Sequence, residues 1–170
     1  AVTGNSNDGI NTSDGLVLSG GTVTVTAVDD GVRGKDYVVV DGATVSVTAG
    51  DHGVKADNAE DAGSGQIAVV SGSLAVSAGG DGLHAVSTIH ILGGSVNVTE
   101  SYEAVEAATI TFGGGTSAFA SSDDGVNGSS LVINGGEISV DARGDGLDIN
   151  GTITMTGGTV VVTGPTEQMN

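Results

Sequence analysis

The chain has no cysteine and no tryptophan, one proline, two tyrosines, two phenylalanines and only four lysines and arginines among 170 residues. Each shortage excludes something. Without cysteine there are neither disulfide staples nor thiolate metal sites. Four basic residues against 21 acidic ones give a net charge of −17, which repels a phosphate backbone, so no nucleic-acid partner is expected. No apolar run approaches the ~18 residues of a membrane span, so no membrane span is expected either. Few aromatics and high charge often mean disorder. Here 38% of the residues are apolar, mostly valine, isoleucine, leucine and alanine in short alternating runs, which is a β pattern.

What the chain has in abundance is glycine, 31 residues, and repetition. An Asp-Gly step or its variant recurs at Asp8, Asp30, His52, Asp81, Glu103, Asp124 and Asp145, at intervals of 22, 22, 29, 22, 21 and 21 residues. The long interval contains the insertion "DNAEDAGSG". After each step comes one aliphatic residue (Ile10, Val32, Val54, Leu83, Val105, Val126, Leu147), then a short strand, a glycine turn and a second strand. No coil of this kind can bury its own apolar residues, but stacking at about 4.8 Å makes continuous aliphatic ladders. The expected fold is all-β: a single right-handed parallel β-helix, a solenoid of about seven ~22-residue coils, with residues 1–170 forming one domain. No capping element is visible at either end. That is the expectation for a piece of a longer solenoid, or for one that associates head to tail.

In a parallel solenoid, equivalent positions of successive coils lie above one another. Three positions after the step, the column reads Asn11, Arg33, Lys55, His84, Glu106, Asn127 and Asp148. Asp-Gly pairs are good turn formers, and solvated turn acids are one reading of the pattern. Stacked acids need more: two carboxylates ~4.8 Å apart repel by about 1 kcal/mol even in water. A bound cation reverses that sign, and oxygen ligands without cysteine favour several calcium ions.

Three clusters are candidate metal sites. The first surrounds "ESYEAVEA": Glu103 between Asp81 and Asp124, Glu106 between His84 and Asn127, and Glu100 in a column otherwise filled by Ala27, Ala49, Ala78 and Ala142. The second is Asp123, Asp124, Asp145 and Asp148. The third, at the insertion, is Asp51, Asp57, Asn58, Glu60 and Asp61. Asp29 and Asp30, stacked next to Asp51 and His52, are further candidate metal ligands, and beside the third cluster lies a small basic island, Arg33, Lys35 and Lys55, flanked by His52 and His84. These bases either neutralise neighbouring acids or, with His84, hold an acidic ligand.

The stretches "DDGVRGKDYVVVDGATVSVTAGDHGVKADNAEDAGSG", "YEAVEAATITF", "SSDDGVNGSS" and "GGTVVVTGPT" resemble a bacterial carbohydrate-binding β-helix family over roughly residues 5–166. Its members bind calcium, pectic acid and cellulose outside the cell or at its surface, on a fold akin to the pectate lyases. The resemblance implies calcium at the acid clusters, an acidic polysaccharide as partner and a secreted or cell-surface location. The chain departs from the family pattern at His52, in place of the second aspartate of "DDG", and at Ala104 and Ala107, in place of glycines. Two other readings stand beside this one. A calcium-stiffened structural or adhesin solenoid needs no sugar. A pectate-lyase-like enzyme would use Arg33 or Lys55 as base, but no further catalytic arrangement is visible, so a binding protein rather than an enzyme is expected.

Overall fold

The computed structural model describes residues 1–4 and 7–164; Pro165 and the residues after it, read above as part of an uncapped end, lie outside them. The described residues contain strands and turns and no helix. Every strand pairing is parallel, and the chain winds through about seven turns of a β-solenoid.

Three strand faces make each coil. The first follows the Asp-Gly step, as in Ile10–Thr12, Val32–Gly34 and Val54–Ala56. In later coils it runs straight into the second face, as in Leu83–Ile91, Val105–Phe112 and Val126–Ile133. The third face includes Thr22–Ala27, Ser95–Glu100, Thr116–Ser121 and Glu137–Ala142. Alternation directs every second side chain inward. The ladder Val32, Val54, Leu83, Val105, Val126 is almost wholly buried, as is Val38, Ile67, Ile89, Ile110, Leu131. Each such side chain contributes about 1.5–3 kcal/mol by leaving water.

Glycine has two distinct jobs here. Gly21, Gly42, Gly72, Gly94, Gly115, Gly136 and Gly158 turn the chain into the third face with φ between 74° and 94°, where a Cβ is strained. The glycine of the Asp-Gly step is needed for space instead. A Cβ on Gly53 would lie 2.2 Å from Val76 Cγ1, and one on Gly125 would lie 2.1 Å from Val140 Cγ1. In the Ala104 coil the register replaces that valine with Phe119, which has no methyl branch at Cβ. That accounts for the one alanine among these glycines.

The insertion between Ala56 and Gln66 folds around Asn58, which is 3% exposed. Its Nδ2 donates to Asp36 Oδ1 (2.6 Å) and Asp61 Oδ2 (2.9 Å), and its Oδ1 accepts from the amides of Glu60 and Asp61. This Asx turn holds the loop against the preceding coil. Asn58→Ala is expected to cost about 2–3 kcal/mol and open the loop to protease; an unchanged melt and cleavage rate would contradict that.

Candidate functional site

The Asp-Gly column stacks in the expected register. The amides of Gly9, Gly31, Gly53, Gly82, Ala104 and Gly125 donate to the carbonyls of Asp30, His52, Asp81, Glu103, Asp124 and Asp145 respectively. The neighbouring column pairs Asn11, Arg33, Lys55, His84, Glu106, Asn127 and Asp148 in turn. Some acids also serve the backbone directly. Asp30 Oδ1 accepts from the His52 amide, Asp81 Oδ1 from Glu103 and Asp124 Oδ1 from Asp145.

Electrostatically the column divides in two. In its first half, bases lie between the acids. Lys55 Nζ is 3.0 Å from Asp30 Oδ2, and His52 Nδ1 lies 3.0 Å from Asp30 Oδ1 and 3.1 Å from Asp51 Oδ2. His52 Nε2 is 3.4 Å from Asp81 Oδ2, and His84 Nδ1 lies 3.0 Å from that same oxygen and 2.5 Å from Glu106 Oε2. Burial works against the His52 charge, but its bonds to Asp30 and Asp81 prevail and push the imidazole up to about 10. The Asp81 bond likewise raises His84, against burial. Burial would raise Asp81 and Asp30; their basic partners overcome it and hold both below the usual carboxylate range.

Among the described residues no base pairs with the acids of the second half. Glu103 is buried, and its Oε1 accepts from Asn127 Nδ2 at 2.8 Å. Its Oε2 is buried with no hydrogen-bond partner. Burial, opposed by the Asn127 bond and reinforced by Glu106, Asp81 and Asp124, pushes this carboxyl up to about 7. Burial also raises Asp124, with Asp123, Asp148 and Asp145 adding to the effect. Carboxylate oxygens of Glu103, Asp123 and Asp124 lie within 4.8 Å of one another. The exposed Tyr102 phenol, held above its usual pKa chiefly by a hydrogen bond to Asp123, stands beside them. An all-oxygen donor set with an orphaned buried oxygen and surplus negative charge fits a hard cation such as calcium.

The remaining candidates are placed differently. Glu100 does not occupy the small-residue column. A bulge after Val98 pairs Glu100 with Ser77 and leaves it exposed, its carboxylate 3.4 Å from Ser77 Oγ. Ser101 fills the column, 3% exposed, with its hydroxyl on the Ala120 carbonyl. A glutamate facing inward there would bury a charge without a partner, so the chain shifts by one residue. Asp57 is taken by Arg33 in a two-pronged ion pair (2.8 and 2.9 Å from Nη2), and Asp61 by Asn58. Asp29 and Asp145 are exposed. Lys35 has no ion pair among the described residues. Arg143, which sequence reasoning did not single out, lines a groove of about 600 Å³ with Glu100, Ser121 and Ser122.

Two surfaces could take an extended chain. A groove of about 450 Å³ on the first face has Ala85, Ala107 and Gly128 among its lining, with the polar column His84, Glu106, Asn127 beside them. The third face presents an uncharged hydroxyl lattice: Thr22, Thr24 and Thr26 above Thr44, Ser46 and Thr48. The sequence profile of the carbohydrate-binding domain-containing protein family matches residues 1–167. The chain belongs to this family. No curated protein and no solved structure matches it. Membership in this family points to a carbohydrate as partner and leaves the choice of surface to the residues.

The charge pattern makes a pH prediction. In the unfolded chain His52 titrates near 6.5 and in the fold near 10, so its pairs contribute fully below 6.5 and are lost as pH rises toward 10. Asp30 and Asp81 contribute above 3.8 and lose that contribution as pH falls through their depressed folded values. Glu103, raised from 4.5 to about 7, destabilises the fold as it ionises between those values. Asp51, Lys55 and His84 face the same pairs. Chelated protein is therefore expected to melt highest at mildly acidic pH, losing up to about 1.4 kcal/mol per pH unit for Glu103 between 4.5 and about 7 and for His52 between 6.5 and about 10. A melting temperature that rises from about pH 5.5 to 8 would contradict this.

Proposed function

We propose that the protein binds acidic polysaccharide of the polygalacturonate type, at the cell surface, through calcium held by Glu103, Asp123 and Asp124. The observation that carries this reading is the buried, unpartnered Glu103 Oε2 inside a cluster of carboxylates that makes no ion pair with a base among the described residues. Bound there, calcium would supply a positive centre with coordination positions left for a uronate carboxylate. The protein's own part is to hold three carboxylates at fixed heights on rigid coils. The groove beside Glu106 gives a chain room along the solenoid axis. Arg33 and Lys55, the bases an eliminating enzyme would need, are held by Asp57 and Asp30, which favours binding over catalysis.

Calorimetric titration of oligogalacturonate into the protein, with calcium and after chelation, tests this. Binding only with calcium, in protein still folded without it, is expected. Calcium that raises the melt while no sugar binds would replace this reading with that of a calcium-stiffened structural solenoid. Binding of a neutral glucan instead would transfer the function to the hydroxyl lattice of the third face.

A further inference from the structure

We infer that the first half of the column contains a second site, adjoining the one at Glu103 through Asp81 and Glu106, for a transition-metal cation of the zinc class, built from His52, Asp81 and His84. The two histidines interrupt the acidic columns in adjacent coils, one in each column, and the diagonal offset brings their rings to a centroid separation of 4.7 Å. Either alone would be a counter-charge. Together they aim two nitrogens at one oxygen: His52 Nε2 lies 3.4 Å and His84 Nδ1 3.0 Å from Asp81 Oδ2. Ligand atoms from all three residues fall within 4.8 Å of one another. Tetrahedral zinc with bonds of about 2.0–2.1 Å needs ligand atoms roughly 3.3–3.5 Å apart, and of the two nitrogen–oxygen separations 3.4 Å lies within that spacing and 3.0 Å just short of it.

The donor chemistry separates this site from the one at Glu103. Imidazole nitrogen suits zinc, copper and nickel, whereas calcium takes oxygen. His52 also has the support that metal-bound histidines receive. Its Nδ1 faces Asp30 Oδ1 at 3.0 Å, which orients the ring and leaves Nε2 free for the metal. Lys55 fixes the other Asp30 oxygen. With both rings charged, Asp30, Asp51, Asp81 and Glu106 are largely neutralised, so a divalent ion binds here by displacing the ring protons and taking over that counter-charge.

The test uses untagged protein in saturating calcium, titrated with zinc chloride by calorimetry and with cobalt chloride by visible absorption. One zinc per chain is expected, together with the intense visible band of low-coordinate cobalt bound partly by nitrogen. His52→Gln and His84→Gln should each weaken zinc by at least about tenfold. His90→Gln, on the second face, should leave it unchanged. His84 is the more exposed of the two ring ligands, so its variant guards against a folding defect at His52, and a melt of each variant in chelator checks the fold. Absence of zinc binding to calcium-loaded wild type, or undiminished binding in both ring variants, would overturn the inference and leave the histidines as counter-charges alone.

Discussion

Glu103→Gln is expected to raise the melting temperature of the calcium-free protein and to abolish most of the rise that calcium produces. The two effects share one cause. With its carboxyl pushed up to about 7 by burial and by Glu106, Asp81 and Asp124, ionised Glu103 is a liability above neutral pH when no cation is present. Glutamine keeps the shape and the Asn127 contact region while removing the charge, which should recover about 2–3 kcal/mol near pH 8. In calcium the same change deletes a charged ligand. Wild type at a calcium concentration one hundred times its Kd gains about 2.7 kcal/mol, and the variant should lose most of that. Asp124→Asn should share the second effect and show less of the first, because Asp124 is less buried and accepts the Asp145 amide. Parallel melts in chelator and calcium read both. An apo melt lowered by Glu103→Gln would mean that the carboxylate has a partner the structure does not show.

The second large effect lies in the glycine column. Gly125→Ala is expected to destabilise by about 3 kcal/mol, lowering the melt by roughly 6–12 °C in a chain of this size. The added methyl would lie 2.1 Å from Val140 Cγ1 and 2.6 Å from the Gly146 carbonyl oxygen, and neither is the loose end of a flexible side chain. Relief requires the coils to separate at the point where Asp123 and Asp124 are positioned, so calcium affinity should fall with stability. Gly20→Ala is the control: its Cβ meets nothing within 4 Å, and a change within about 0.5 kcal/mol is expected. Equal melts for the two variants would contradict the close packing assigned to Gly125.

The solenoid was legible because its register is written in a nearly constant interval: once the Asp-Gly steps are aligned, the aliphatic ladders and the two polar columns follow. The distribution of charge was only partly legible. The stacking of Arg33 on Lys55 could be read from spacing, but Arg33 turns to Asp57 because the insertion folds around Asn58, and no repeat encodes that fold. Glu100 was misplaced because counting assumes one residue per ladder step. The signal was nevertheless present: a charged residue at a slot otherwise held by alanine, followed at once by Ser101, which can enter the slot and satisfy its hydroxyl on the next coil. The unpartnered Glu103 Oε2 could not be read at all, since it depends on which neighbours reach the carboxylate. By its sequence His52 is a departure from the family pattern, a histidine in place of an aspartate. In the fold it is one of the bases that separate a self-neutralised half of the column from a half that still carries its charge.

The most direct test of that division is a crystal grown in calcium with a short oligogalacturonate, with the ions located by anomalous scattering. The expected result is a calcium ion bound by Glu103, Asp123 and Asp124 and also by a uronate carboxylate of the sugar. A sugar bound elsewhere with no ion at this cluster would contradict the account.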